Sequence, residues 1–274
     1  MVVLSLYTKT KTTMEEAPMK IAKPQDTVVH ELRVLSLDGW SALAPVALCK
    51  QEKNHPSRME PSKISETTKN SFFTSYLVLF GYTIITLIEA VRTPSVLIRH
   101  VMNIETAVSL VAGLVYGYLY EEIKTSTPDL QKIMKIRYID WSITTPLILL
   151  SLLLFYNGEG SVDYKTFLAL AGLNGGMLYS GYMGETHQWS RMTGGVLGFG
   201  FFAALLLLFY TCCIPKSGSA IVFFIFAVIW TLYGVVYYIE DQETKNFYYN
   251  YLDITSKALF GVVLWSYFGK VLKY

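Results

Sequence analysis

Seven apolar stretches of membrane-spanning length dominate the sequence and restrict it to one class of fold. They lie at residues 72–92, 100–120, 133–155, 164–183, 192–213, 219–239 and 247–269. Each has about the 20 residues that a helix needs to cross the hydrocarbon core of a bilayer. Backbone polar groups must be paired inside a bilayer, and the stretches lack the alternation of strands, so helices are predicted. The expected fold is an all-α bundle of seven transmembrane helices in a multi-pass membrane protein.

The composition supports a chain that is surrounded by lipid. Apolar residues make up 52% of the sequence and charged residues only 16%, against about 25% charged residues in an average soluble domain. The formal net charge of +2 gives no basic surface for nucleic acid, so no nucleic-acid partner is expected. Neither an enzymatic activity nor a metal site is predicted.

Residues 1–70 differ from the rest of the chain, and the predicted helical domain occupies residues 71–274. The first part is polar, and its best apolar patch, Ser41–Cys49, is too short to span a bilayer. We interpret residues 1–70 as a disordered extension. Met59, shortly before the first apolar stretch, marks an alternative start.

The charges between the stretches predict the orientation of the bundle. Arg92, Arg99 and His100 lie between the first two stretches, whereas the loop after the second carries Glu121, Glu122 and Asp129. Basic loops remain on the cytoplasmic side of membranes. The N-terminus is therefore predicted to be extracellular and the C-terminus cytoplasmic.

Five ionisable residues are predicted to lie at membrane depth, where a charge is costly and usually functional. They are Glu89, Glu105, Asp140, Asp253 and Lys257. Asp253 and Lys257 are four residues apart and share a helix face. Lys257 lies near the middle of the last stretch and is predicted to be the one deeply buried lysine. Two interpretations are equally supported by this chemistry: a structural ion pair, or an amine that forms a Schiff base.

The third stretch carries the most specific motif. Arg137, Asp140 and Thr144 recur on one helical face, in the sequence Arg137-Tyr138-Ile139-Asp140-Trp141 followed by Thr144-Thr145-Pro146. This resembles the third helix of microbial (type 1) rhodopsins, and the last stretch around Asp253 and Lys257 resembles their retinal-binding helix. Further matches to the retinal pocket are Asn174, Met177 and Gly181 in the fourth stretch and Trp230, Tyr233 and Tyr237 in the sixth.

The resemblance, which covers about residues 71–274, implies a role for each of these residues. Lys257 would carry all-trans retinal as a Schiff base, Asp140 would be the counter-ion and proton acceptor, and Asp253 the second counter-ion. Arg137 would lie on their extracellular side, and Trp141 and Thr145 would line the pocket. Two carboxylates favour a protonated imine in surroundings of low dielectric constant. A homo-oligomer is expected by analogy with the family.

Two departures from the family pattern weaken the case for an efficient proton pump. Outward pumps usually carry a carboxylic acid eleven residues after the acceptor, about 16 Å along the helix, where this chain has Ser151. Eight residues before Asp253, where pumps often have a release carboxylate, stands Lys245. The chloride and sodium pumps replace the Asp140–Thr144 pair, which is intact here.

Glu89 and Glu105 are candidates for an ion pathway at the cytoplasmic end. Carboxylates of the first two helices that face the bundle would form a cation-selective constriction, although a rim of ion pairs suits Glu89 equally well. The segment from Val96 to Ser109 also resembles group 1 rhodopsins of giant algal viruses, which are associated with cation conduction. The predicted function is a light-gated cation channel. The alternatives are a weak outward proton pump with Glu105 as donor and a sensory rhodopsin without ion transport.

Overall fold

The structure is a computed structural model that describes residues 64–158, 162–217 and 220–268. Within these residues it contains helices and loops but no strand. The helices are α1 (Glu66–Arg92), α2 (Val96–Ile123), α3 (Leu130–Asn157), α4 (Tyr164–Glu185), α5 (Arg191–Ser217), α6 (Ile221–Tyr237), α7 (Gln242–Asp253), a π-helical segment (Ile254–Leu259) and α8 (Phe260–Phe268). The last three continue without a break and are together called the seventh helix. The chain therefore forms the predicted seven-helix bundle.

Side-chain caps fix where five of the helices begin. Ser65, Ser95, Asp129, Asp163 and Asp241 each accept a hydrogen bond from a backbone N–H in the first turn of the helix that follows. Those N–H groups have no partner within the helix, so an N-cap oxygen stabilises the helix start by about 1 kcal/mol.

The caps also explain where the observed helix starts differ from the predicted ones. The first stretch was predicted from residue 72 and the second from residue 100, but α1 begins at Glu66 and α2 at Val96. Hydropathy marks the part of a helix that lies in hydrocarbon, whereas Ser65 and Ser95 mark where helical backbone begins. Residues 1–63, with Ser41–Cys49 and Met59, lie outside the described residues.

Helix α1 exposes large apolar side chains and buries small polar ones among its inner apolar residues, unlike a helix at the surface of a soluble protein. Leu77, Ile84 and Ile85 are 51%, 52% and 63% exposed, whereas Ser75 and Thr86 are buried. Within the described residues, α1, α2, α3 and the Arg191–Ile214 part of α5 are long and apolar enough to cross a membrane, and Ile221–Tyr237 is a shorter apolar helix. This distribution suits a bundle whose outer surface contacts lipid.

The seventh helix widens where it carries Lys257. The backbone N–H of Phe260 bonds to the carbonyls of Thr255 and Lys257, and the bond to Thr255 is the i→i−5 bond of a π-helix. Single π turns inside α-helices are rare and often lie at functional sites.

Candidate functional site

Lys257 lies between two carboxylates inside the bundle. Its side chain is 1% exposed, and its Nζ lies 2.7 Å from Oδ2 of Asp140 and 3.1 Å from Oδ1 of Asp253. Asp140 is on α3 and Asp253 on the preceding turn of the seventh helix. The structure thus brings together the amine and the two carboxylates that the sequence motifs predicted.

The two carboxylates differ in how completely they are hydrogen-bonded. Asp253 accepts from the indole N–H of Trp141 (3.0 Å) and from the hydroxyls of Tyr233 (2.8 Å) and Tyr116 (2.7 Å), and pairs with Arg137 (2.9 Å). Oδ2 of Asp140 accepts only from Lys257, and its buried Oδ1 has no partner among the described residues. Asp140 is therefore the carboxylate with free capacity to take a proton.

Arg137 is buried on the other side of this cluster, 1% exposed. Besides Asp253, its guanidinium donates to the side-chain oxygens of Asn250 (2.7 Å) and Asn246 (3.2 Å) and to the hydroxyl of Tyr116 (2.6 Å). Arg137 and Lys257 together balance the charges of Asp140 and Asp253. Buried charges are tolerated when they are paired and hydrogen-bonded in this way.

An apolar cavity begins at Lys257 and extends between α3, α4, α5 and α6. Its lining includes Lys257, Asp253, Trp141, Thr145, Met177, Gly181, Phe202, Trp230, Tyr233 and Tyr237. An amine at the end of a cavity with aromatic walls fits an elongated apolar aldehyde such as retinal. Eight of the nine residues predicted to bind the cofactor line this cavity. The ninth, Asn174, donates a hydrogen bond to the lining residue Thr145.

Two glycines keep side chains out of the cavity where it is narrow. A Cβ on Gly234 would overlap the ring of Phe199, and a Cβ on Gly181 would lie 2.8 Å from the hydroxyl of Tyr138. Elsewhere in the lining, the indole of Trp141 packs edge-on against Tyr233 at 5.3 Å between ring centroids. The glycines provide width, and the aromatic rings provide flat walls for a polyene.

Asn174 and Thr144 support the cavity without being among its lining residues. The amide of Asn174 donates to the hydroxyl of Thr145 (2.8 Å), which in turn donates to the carbonyl of Trp141 (2.6 Å). The hydroxyl of Thr144 donates to the carbonyl of Asp140 (2.9 Å) rather than to its carboxylate. Asn174 thus links α4 to α3, whereas the bond of Thr144 stays within α3.

Glu105 and Ser151, predicted as separate parts of an ion pathway, are in direct contact. The Ser151 hydroxyl lies 2.7 Å from Oε1 of Glu105, and both residues are buried. Glu105 was predicted about one turn inside the second helix, near the cytoplasmic mouth. It is instead nine residues inside α2, about two and a half turns, because α2 begins at Val96. The contact with Ser151 therefore brings the carboxyl of Glu105 from α2 to the position where outward pumps usually have a carboxylic acid on α3.

Glu89 is placed differently. It is half-buried near the end of α1, and its side chain forms no hydrogen bond or ion pair within the part of the chain that the structure describes. Half-burial suits the rim position considered for Glu89, but the ion pairs expected of that rim are not formed by Glu89 among the described residues.

A second buried ion pair, between Lys245 and Glu185, was not predicted. Lys245 is fully buried, and its Nζ lies 2.7 and 3.1 Å from the carboxylate oxygens of Glu185 at the end of α4. Arg191, at the start of α5, lies 3.8 Å from the same carboxylate. The expectation that Lys257 is the one deeply buried lysine is therefore wrong, because Lys245 is buried by its partner 60 positions away.

Comparison with known proteins identifies the family of this arrangement. The model of the family described as bacteriorhodopsin-like protein matches residues 66–271. The chain belongs to this family of microbial rhodopsins. The viral rhodopsin OLPVRII has a similar structure, with a TM-score of 0.71 and 34% sequence identity, over 75% of this chain and 99% of that one.

Other microbial rhodopsins are more distant. Archaerhodopsin-2 from Halobacterium sp. (strain aus-2) is 26% identical over 56% of this chain, and the matched segment spans 64% of archaerhodopsin-2, less than two thirds of its length. The proton-pumping rhodopsin AR2 from the marine alga Acetabularia acetabulum shares the fold, with a TM-score of 0.64 at 18% identity over 77% and 98% of the two chains. The protein is thus a multi-pass membrane protein of the microbial rhodopsin family, a family of retinal-binding photoreceptors.

Proposed function

We propose that the protein is a light-gated cation channel that carries all-trans retinal as an imine on Lys257, with its N-terminus outside the cell. When bound, retinal supplies visible absorption and a change of shape on illumination. Asp140, 2.7 Å from the Lys257 nitrogen, is positioned to take its proton. Asp253, held by several donors, stays in place beside Arg137.

The observation that carries this proposal is a series of buried polar side chains between α1, α2 and the seventh helix. Towards the predicted cytoplasmic end, the hydroxyls of Thr83 and Ser109 lie 3.0 Å apart and those of Thr86 and Thr106 2.9 Å apart. Glu105, one turn from Ser109, belongs to the same segment of α2. These groups are the kind that line a hydrated cation pathway.

The series continues towards the predicted extracellular end. The amide of Asn250 donates to the hydroxyl of Ser71 (2.8 Å), and the hydroxyl of Ser75 donates to the Asn250 carbonyl (3.1 Å). At the start of α1, the hydroxyl of Thr68 donates to Glu243 (2.8 Å). Polar side chains thus follow α1 along most of its inner face.

One apolar layer separates the two polar halves of this route. Leu79, Ala112 and Ala258 are buried in a common apolar cluster. Leu79 lies one turn, about 6 Å, from Ser75 on one side and from Thr83 on the other. Such a layer would close the route in the dark. Ala258 directly follows Lys257, so a displacement of the Lys257 backbone would reach this layer first.

A weak outward proton pump is the second candidate, and the Glu105–Ser151 contact favours it. Ser151 stands eleven residues after Asp140, and the contact places a carboxyl at that level. In a pump, Glu105 would return a proton to the Lys257 nitrogen after Asp140 had taken the first one. A sensory rhodopsin, the third candidate, would need neither polar half.

Photocurrents at clamped voltage separate the three candidates. The protein is expressed with all-trans retinal, and current–voltage curves are recorded under light at two sodium gradients. A channel gives a current that reverses at a voltage set by the gradients. An outward current at every voltage would show a pump instead, and no current at all would leave the sensory function.

A further inference from the structure

Glu105 is a buried carboxyl without a cationic partner. Its side chain is 1% exposed, and it forms no ion pair with any described Lys, Arg or His. An isolated carboxylate at membrane depth costs several kcal/mol. This group therefore needs either a proton or a bound cation.

The contact with Ser151 suits the protonated form of Glu105. The Ser151 hydroxyl lies 2.7 Å from Glu105 Oε1 and 3.0 Å from the carbonyl oxygen of Ile148, but it has one hydrogen to donate. If Glu105 carries a proton, it donates to Ser151, and Ser151 donates to Ile148. Both short distances are then hydrogen bonds.

The hydroxyl of Tyr82 and Oε2 of Glu105, the carboxylate oxygen that does not contact Ser151, both lie next to Gly261. Tyr82 is 6% exposed, and its hydroxyl has no hydrogen-bond partner among the described residues. A Cβ added to Gly261 would lie 2.8 Å from Oε2 of Glu105 and would overlap the Tyr82 hydroxyl. Both oxygens therefore converge on the bare backbone of Gly261, one turn beyond Lys257.

We propose that Glu105 and Tyr82, facing the bare backbone of Gly261, form a transit site for one dehydrated monovalent cation. A carboxylate and a hydroxyl are hard oxygen ligands of the kind that such cations prefer. The site exchanges a proton for a cation: Glu105 releases its proton to water in the hydrated pathway when a cation enters, and takes a proton back from that water when the cation leaves. Gly261 is a specificity-determining residue, because any side chain there fills the site.

This proposal rests on the proposed channel function and adds to it the position that selects the ion. In the dark the site holds a proton, so it contributes no fixed negative charge. In the conducting state the hydroxyl of Tyr82 contacts the cation beside Glu105. The hydroxyl of Ser151 remains hydrogen-bonded to the carbonyl of Ile148 and is not a ligand.

Two substitutions and two matched controls test the site. Tyr82→Phe removes the hydroxyl and keeps the ring, and Gly261→Ala adds the Cβ. Tyr76→Phe on the same helix and Gly81→Ala, where a Cβ would meet nothing within 4 Å, are the controls. We expect Tyr82→Phe to change the sodium-to-potassium permeability ratio about fivefold, equivalent to about 1 kcal/mol for one lost oxygen contact. Gly261→Ala should reduce the current, and both controls should leave ratio and current unchanged.

Infrared difference spectroscopy tests the site without conduction. The carboxyl band that Glu105→Gln removes identifies Glu105. We expect replacement of sodium by N-methyl-D-glucamine to alter this band in the illuminated protein, and Tyr82→Phe to abolish that response. A reversing wild-type current with unchanged ratios in Tyr82→Phe and Gly261→Ala would overturn the site and leave the channel. If the wild type passes no reversing current, the channel function fails, and a band insensitive to sodium would then overturn the site independently.

Discussion

The nitrogen of Lys257 lies 2.7 Å from Oδ2 of Asp140, whereas the nitrogen of the other buried lysine, Lys245, lies 2.7 Å from Glu185 and outside the apolar cavity. We predict that Lys257→Ala abolishes the visible absorption formed with all-trans retinal, because of these two buried lysines only Lys257 lines that cavity. The measurement is the absorption spectrum of the purified protein. Lys245→Ala is the matched control and should keep the visible band. A covalent visible chromophore in Lys257→Ala would disprove the assignment.

The unequal hydrogen bonding of Asp140 and Asp253 predicts different effects of the same substitution. Asp140→Asn should shift the absorption maximum to the red if the imine stays protonated, or otherwise make the imine lose its proton at a lower pH. The loss of stability should be small. Asp253→Asn should lower the free energy of unfolding by about 3 kcal/mol, because it leaves Arg137 buried without its ion pair. Absorption spectra and denaturant titrations measure the two effects. Equal losses of stability would contradict the proposed asymmetry.

Glu105→Gln should change cation permeability or current size while leaving the visible spectrum nearly unmoved. Ser151, its partner, is eleven residues beyond Asp140, about 16 Å along α3, so the substitution lies far from the counter-ions. Voltage clamp and flash photolysis of one variant separate the candidate roles. Slow reprotonation that azide restores would indicate a proton donor instead. Glu89→Gln, at the half-buried rim position, is the control and should have the smaller effect.

The Lys245–Glu185 pair predicts a test of stability that does not involve the chromophore. Lys245→Met should lower the free energy of unfolding by about 3 kcal/mol, because Glu185 is left buried with only Arg191, 3.8 Å away, to balance its charge. Adding Glu185→Leu should restore most of the loss. Lys132→Met breaks an exposed pair, with Lys132 46% exposed, and should cost at most about 1 kcal/mol. Denaturant titration of the visible band measures all three. A single variant as stable as the double one would contradict the prediction.

The sequence allowed the bundle and the counter-ion cluster to be predicted because their determinants are local. Apolar length specifies the helices, and Arg137, Asp140 and Thr144 share a face by their spacing. Asn246 and Asn250 were missed, although they continue the spacing of Asp253 and Lys257 on the inner face of the seventh helix. That periodicity is the signal that would have found them.

Other contacts depend on the packing of distant segments and leave no local signal. Glu185 and Lys245 are 60 positions apart, and each alone resembles a loop charge. The Glu105–Ser151 contact spans 46 positions and depends on how far α2 slides along α3. That register is set by how the two helices pack against each other, which the hydropathy of either helix alone does not encode.

The π-helical segment Ile254–Leu259 divides the seventh helix into two parts with different rotational phase. Because its bonds skip one more residue than those of an α-helix, the spacing that aligns Asn246, Asn250 and Asp253 does not extend into Phe260–Phe268. Removing one residue from this segment would turn everything beyond it by about 100°, the angle per residue of an α-helix. Gly261 would then face away from α2, and a bulky neighbour would take its place. Chimeras that join this helix to one from a relative must therefore preserve residue count within the segment, even where the flanking residues are identical.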